Sequence, residues 1–113
     1  MSDDRLPTEL WVTAGLRRCN NEGVPATVVR KGEKQSGTVI LKINQLDKNF
    51  KIFTQGRDIA GKLTWCPALD DKNVEESEAD SYLARSANLD PDVWIIEIEH
   101  RDGWHPFKKE IFF

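Results

Sequence analysis

The amino-acid sequence predicts a single α+β domain in which two helices pack on a mainly antiparallel sheet of about five strands. The chain has 113 residues, a length at which one domain buries roughly two-thirds of its unfolded surface. Two segments repeat apolar residues with helical periodicity, and five shorter segments are rich in β-branched or aromatic residues. Their order is α-β-β-β-β-α-β, and no repeat or linker divides residues 1–113 into two units.

The first helix is predicted at residues 8–21. Val12, Leu16 and Cys19 are spaced i, i+4 and i+7, which places them on one helical face. Gly23 follows, and glycine commonly ends helices because it adopts the left-handed conformation without strain. We therefore expect this helix to pack its apolar face on the sheet.

Four strands are predicted between the two helices. The short connections between successive strands favour an antiparallel meander, and the loop at residues 32–37 is interpreted as the end of a hairpin. The predicted strands cover residues 26–31, 38–44, 50–54 and 62–66.

The second helix is predicted at residues 74–87, within an acidic stretch. Asn73 is the predicted N-cap, and Glu76 three residues later completes a capping box. Ala79 and Leu83 belong to the apolar stripe of this helix. The stripe indicates a second helix that packs on the sheet.

The clearest strand is predicted at residues 93–99, where Trp94, Ile96 and Ile98 share one face. We expect the two helices to cover one face of the sheet. Residues 104–113 form an aromatic C-terminal tail, which either docks on its own domain or forms an interface.

Composition excludes several classes of protein. Apolar residues make up 39% and charged residues 31%, a balance that is typical of neither disordered nor membrane-spanning chains. No apolar run approaches the roughly 20 residues that span a bilayer, and the acidic N-terminus does not resemble a signal peptide. A cytoplasmic location without membrane contact is therefore expected.

The net charge of −3 is unevenly distributed along the chain. Residues 1–62 carry +4 and residues 63–113 carry −7, and the acidic charge is concentrated between Asp70 and Asp92. Proteins that bind nucleic acids usually have a basic balance. The total charge therefore disfavours nucleic acid as a partner.

Two stretches of the sequence resemble a small bacterial family of the alphaproteobacterial type, whose members have about the length of this chain. They are residues 6–12 (LPTELWV) with Arg17 and Arg18, and residues 90–99 (DPDVWIIEIE). The likeness extends over nearly the whole chain, and the family is classed as a domain of unknown function. The resemblance implies a bacterial cytoplasmic protein of one α+β domain, and it provides no activity, cofactor or catalytic residue.

Four residues near the last strand are candidates for metal binding or acid–base chemistry, because carboxylates and imidazoles that converge can bind a divalent cation or exchange protons. Strand alternation places Glu97 and Glu99 on one face and His100 on the other, whereas His105 lies beyond a turn. A solvated strand end with scattered charges is the favoured interpretation. Neither a metal nor a cofactor is predicted.

The two cysteines are candidates for a nucleophile. Cys19 lies late in the first helix on its core face, far from the helix N-terminus that would lower a thiol pKa. Cys66 precedes Pro67 and has no neighbouring histidine in the sequence. We expect both thiols to stay reduced, and no catalytic residue is predicted.

A basic surface is the candidate for binding an anion or RNA. Arg30, Lys42 and Lys51 lie on three successive predicted strands, so a favourable register would align them in a row. The favoured alternative is that these cations offset the acidic segment. The full set of basic candidates is Arg17, Arg18, Arg30, Lys31, Lys42 and Lys51.

The leading functional prediction is a non-enzymatic binding or protein-interaction module, whose partner is an unknown protein or a second copy of the chain. Aromatic side chains commonly anchor protein interfaces. A small metal-dependent or acid–base enzyme and an RNA-binding accessory protein are the alternatives. The predicted interface residues in the tail are Trp104, Phe107, Phe112 and Phe113.

Overall fold

The computed structural model describes residues 6–108, and the predicted order of helices and strands is confirmed. Two short 3₁₀ turns, Leu69–Asp71 and Pro106–Lys108, complete the fold. The helices and strands are α1 (Thr8–Asn21), β1 (Ala26–Arg30), β2 (Val39–Asn44), β3 (Phe50–Arg57), β4 (Leu63–Pro67), α2 (Glu76–Leu89) and β5 (Trp94–Glu99).

The five strands form one sheet in the order β1-β5-β2-β3-β4. Three neighbouring pairs are antiparallel, and β2 pairs with β5 in parallel. The predicted hairpin at residues 32–37 is wrong, because β5 lies between β1 and β2. The physical reason is burial: β5 is apolar on both faces over its first half, and a central position removes both faces from water.

The helices cover opposite faces of the sheet, so the expectation that both would cover one face is wrong. On one side, which we name the α1 face, Val12 and Cys19 of α1 pack against Leu41 and Ile96. On the other side, which we name the α2 face, the helix residues Ala79 and Leu83 pack with the strand residues Ile40, Ile52 and Ile95. Successive residues of β2 are buried from Val39 to Ile43, so this strand needs cover on both faces.

The N-terminus of α1 is capped by backbone groups of the loop that follows β1. The N–H groups of Thr8 and Glu9 donate to the carbonyls of Gln35 (3.0 Å) and Lys34 (2.9 Å). The Thr8 hydroxyl also donates to the Gly37 carbonyl at 2.8 Å. These bonds satisfy donors that a helix start otherwise leaves to solvent or to a ligand.

The start of α2 differs from the prediction, because the helix begins at Glu76 and no side chain caps it. Val74 exchanges two backbone hydrogen bonds of 2.9 Å with Phe50. This pairing holds Val74 in an extended bridge, so the helix starts two residues later and Asn73 is not its cap. No helix within residues 6–108 is long and apolar enough to cross a bilayer.

Candidate functional site

A groove of about 250 Å³ opens on the α2 face, between the second half of α2 and the adjoining parts of β2 and β3. We name it the α2 groove. Tyr82, Ser86 and Leu89 are spaced i, i+4 and i+7, so they form one wall along the helix. The small Ser86 between two larger side chains leaves the space open. The opposite wall includes Ile40, Thr54 and Val93.

Several polar side chains that line the α2 groove are bonded within the protein. The Ser86 hydroxyl donates to the carbonyl of Tyr82 (3.0 Å). The Thr38 hydroxyl donates to Asp90 Oδ2 at 3.2 Å, and Gln55 Oε1 accepts from the Val39 N–H at 2.6 Å. The groove therefore presents mostly apolar surface, which suits an apolar side chain better than a charged metabolite.

Leu89 extends the apolar wall to the surface. It is the last residue of α2, and 87% of it is exposed. Its side chain is therefore available to a bound partner without any rearrangement of the core. An exposed leucine beside an apolar groove is a common feature of interaction surfaces.

Lys42 lies at the centre of the α2 face, where its ammonium group is surrounded by carboxylates. Lys42 Nζ is 2.8 Å from both Glu76 Oε2 and Asp80 Oδ1, and 3.5 Å from Glu97 Oε1. The lysine side chain is only 5% exposed. Nζ also lies 5.1 Å from the centroid of the Phe50 ring, within the range of a cation–π contact. We name these four charged residues the Lys42 cluster.

The Lys42 cluster keeps its lysine protonated. Burial acts to lower the pKa of Lys42, but the hydrogen bonds to Asp80 and Glu76 and the charge of Glu97 together hold this pKa above its usual value. An ammonium in this state is neither a nucleophile nor a general base. Its function is to hold α2 against β2 and β5.

The other predicted basic residues do not align with Lys42. Arg30 pairs with Ile95 on the α2 face and donates to the Pro91 carbonyl at 2.9 Å. Lys51 pairs with Ile43, whose side chain belongs to the α1 face, and its Nζ lies 3.5 Å from Asp71. The predicted row of Arg30, Lys42 and Lys51 is therefore absent from this sheet.

The remaining basic candidates lie elsewhere on the molecule. Arg17 and Arg18 are exposed on α1, across the sheet from Lys42. Lys31 Nζ lies 3.4 Å from Glu9 Oε2 at the start of α1. These residues do not extend a basic surface around Lys42.

The four candidates for metal or acid–base chemistry are not brought together. Glu97 belongs to the Lys42 cluster, and Glu99 is exposed at the end of β5. His100 Nδ1 accepts from the Asp102 N–H (3.1 Å) within a turn. His105 is buried on the α1 face, where its Nδ1 accepts from the Phe107 N–H (3.2 Å). In the part of the chain that the structure describes, no three His, Cys, Asp or Glu side chains converge as metal ligands.

The two cysteines lie in different environments. Cys19 is buried, and burial raises the pKa of its thiol to about 11, although the nearby charge of Arg18 partly opposes this. The thiol therefore remains protonated at neutral pH, which fits a core residue. Cys66 is exposed on β4, and neither cysteine is in a disulfide.

The first residues of the aromatic tail lie on the domain. Phe107 is fully buried, its ring centroid is 4.8 Å from that of Trp11, and its carbonyl accepts from Trp65 Nε1 at 2.7 Å. Trp104 is half-buried beside His100, with 5.8 Å between the ring centroids. The predicted interface residues Phe112 and Phe113 lie outside the described residues.

The α2 groove was not found by the sequence analysis. Leu89 lies beyond residue 87, where the second helix was predicted to end. Ser86 and Thr54 carry no signal of their own. The residues on the other wall come mainly from β2, β3 and the segment just before β5, so only the folded chain assembles the groove.

The sheet, the two opposed helices and the α2 groove define a small single-domain α+β protein with a mixed five-stranded sheet. Residues 6–108 match the model of the family described as "Protein of unknown function (DUF1491)", and the chain belongs to this family.

Solved structures of similar chains share this fold. The chain is 35% identical to a DUF1491 family protein from Caulobacter crescentus in a crystal structure, with a TM-score of 0.79 and coverage of 88% of this chain and 92% of that one. An NMR structure of a DUF1491 family protein from the same organism gives 36% identity, a TM-score of 0.75, and 88% and 90% coverage. The solution structure of a protein from A. tumefaciens gives 25% identity and a TM-score of 0.71, and the match covers 84% of this chain and 86% of that one. The comparison with curated proteins gave no match.

Proposed function

We propose that this protein is a non-enzymatic protein-interaction module, and that the α2 groove receives one apolar side chain of a partner protein. The observation that carries the proposal is the groove itself, in which apolar walls are combined with polar groups already bonded within the protein. Such a surface gains most from desolvating an apolar group.

The size of the groove supports a side chain as its occupant. Small-molecule sites usually enclose about 300–1,000 Å³, and the α2 groove is smaller, at about 250 Å³. One leucine-, isoleucine- or phenylalanine-sized group fits within a space of this volume, since a cavity of about 150 Å³ holds benzene. Interfaces commonly depend on a few such anchors in well-packed pockets.

The positions of the reactive groups also support a binding role. Glu97 is an ion-pair partner of Lys42, and the Nδ1 atoms of His100 and His105 accept backbone hydrogen bonds in turns. The thiol of Cys19 is buried. These groups stabilise local structure, whereas the α2 groove is open to a partner.

The proposed partner is a protein in the cytoplasm. Free cysteines, one buried and one exposed, fit a reducing compartment. Nucleic acid is not the proposed partner, since Lys42 is enclosed by carboxylates and Arg30 and Lys51 bond to groups of the protein itself. The membrane is not proposed as a binding surface.

The test is selection of peptides from a displayed random library on the full chain, with counter-selection on Leu89→Asp. We expect enriched peptides to share one large apolar residue and to bind Leu10→Asp as well as the native protein. Leu10 is a matched control, because it is an exposed leucine on α1, across the sheet from the groove.

NMR titration of an enriched peptide locates its site. Amide shifts should concentrate at Ile40, Thr54, Tyr82 and Ser86. Peptides that bind Leu89→Asp unchanged, or shifts confined to the α1 face, would refute the proposal.

A further inference from the structure

The hairpin between β3 and β4 ends in an ordered turn that exposes an isoleucine. The Asp58 N–H donates to the Lys62 carbonyl at 3.0 Å, and the Gly61 N–H donates to the Asp58 carbonyl at 2.9 Å. Asp58 Oδ1 accepts from the Lys62 N–H at 2.9 Å. This turn presents Ile59 with an exposure of 108%, the highest among the exposed large apolar residues of the described chain.

The exposed isoleucine and the α2 groove are neighbours along one strand. Thr54 lines the groove, and β3 continues from it to Arg57, the residue before the turn. Ile59 does not cover the groove of its own chain, because its side chain is fully exposed. The groove and the turn that carries Ile59 therefore lie at two points along the same hairpin.

The two features have complementary charges. Arg57 and Lys62 flank the turn and outnumber its one acid, Asp58. Asp90 lines the groove, and Asp92 follows it two residues later in the sequence. Opposite charges steer the correct approach of two surfaces and disfavour others.

We propose that the partner of the α2 groove is a second copy of this chain, and that Ile59 of each protomer inserts into the groove of the other. This inference rests on the proposed function, since it identifies the occupant of the same groove. The chain carries both halves of the contact, and two copies related by a two-fold axis satisfy both contacts at once. The assembly is then a closed dimer.

Sedimentation equilibrium of the full chain over a wide concentration range tests the assembly. We expect reversible dimers without larger species. Ile59→Asp and Leu89→Asp should each raise the dimer dissociation constant by at least about tenfold, since each removes a buried apolar anchor. Leu10→Asp, with the same change of charge on the other face, should not. Ile59 and Leu89 are both exposed, so neither change affects folding of the protomer.

Disulfide trapping tests the contact itself. Ile59→Cys and Leu89→Cys are made in separate chains, each with Cys66→Ser to remove the exposed native thiol. Mixing the two chains under mild oxidation should give a linked heterodimer, and Leu10→Cys in place of Leu89→Cys should give none. A native chain that stays monomeric at millimolar concentration, or a failure to link positions 59 and 89, would overturn the second copy as occupant.

The two proposals fail in different ways. If library peptides bind the groove of a chain that never dimerises, the proposed interaction module is supported, and the partner of the groove is another protein. Loss of both peptide binding and dimerisation would remove both proposals.

Discussion

The ring of Phe107 occupies the space beside Gly15 that a side chain at residue 15 would fill. A Cβ at Gly15 would overlap the ring at two carbon atoms, Cζ and Cε1, and would lie tightly against a third. The glycine thus lets the chain after β5 pack closely on α1, and it seals the core of the α1 face with an aromatic residue from the far end of the described chain.

The Gly15→Ala variant tests this contact. Alanine favours a helix over glycine by about 1 kcal/mol, but the overlap with Phe107 forces an overpacked core that costs about 1–3 kcal/mol. We expect the overlap to prevail, with a lower free energy of unfolding in urea. In the Phe107→Leu background the same change should be neutral or stabilising, and a stabilising Gly15→Ala in the native background would contradict the assignment.

The Lys42→Met variant tests the Lys42 cluster. Removing one member of a buried ion pair costs about 3–5 kcal/mol, but Glu76 and Asp80 are more than half exposed and remain hydrated. We therefore expect a loss of about 2 kcal/mol in chemical denaturation at neutral pH, partly restored by adding Glu97→Gln.

Lys51→Met is the matched control for Lys42→Met. Lys51 is 30% exposed and pairs with an exposed aspartate, so its removal should cost less than about 1 kcal/mol. Equal losses in the two variants would show that burial of the Lys42 ammonium has no energetic consequence.

Cys19 predicts a loss of stability in alkaline solution. The folded protein keeps the thiol proton up to about pH 11, whereas the ordinary thiol pKa is 9.0. The folded state therefore binds more protons than the unfolded chain above pH 9.0, and the free energy of unfolding falls as pH rises. In Cys19→Ala the free energy of unfolding should fall less steeply with pH than in the native protein, between pH 9.0 and pH 10.5. Above pH 10.5, the ordinary lysine pKa, Lys42 also begins to contribute to the pH dependence. Parallel curves for the two proteins would be evidence against burial of the thiol.

Glu33 predicts the opposite dependence in acid. Its carboxylate accepts from the N–H groups of Gln35 (2.9 Å) and Ser36 (2.7 Å), and these bonds lower the pKa of Glu33. A carboxyl group whose pKa is lowered by folding stabilises the folded state above its ordinary pKa of 4.5. This stabilisation is lost as the pH falls through the pKa of the group in the folded protein. Glu33→Gln should therefore be less stable than the native protein at pH 7, with a difference that shrinks in acid. A difference that stays constant down to full protonation would refute this role.

The elements themselves could be predicted because their signals are local. The periodicity of Val12, Leu16 and Cys19 located α1 at its observed bounds, and the alternation of Trp94, Ile96 and Ile98 identified β5. The error at the start of α2 arose from a tertiary contact. Val74 is held extended by Phe50, a partner that no capping pattern reveals.

The arrangement of the elements could not be predicted in the same way. Short connections favoured a meander, but the insertion of β5 beside β1 buries both of its apolar faces and requires a parallel pairing with β2. Ile40 and Ile95 make the second face of the sheet apolar. Only the packed structure assigned α2 to that face.

The sequence by itself determined the class of domain, the order of its helices and strands, and the resemblance to a family. These follow from apolar periodicity and short motifs, which depend only on residues close together in the sequence. The tertiary structure alone decided the strand order, the opposed helices, the enclosure of Lys42 and the α2 groove. Each of these depends on side chains from distant segments. The local sequence pattern allows several packings of these elements. The contacts form only in the packing that buries both faces of β2 and β5.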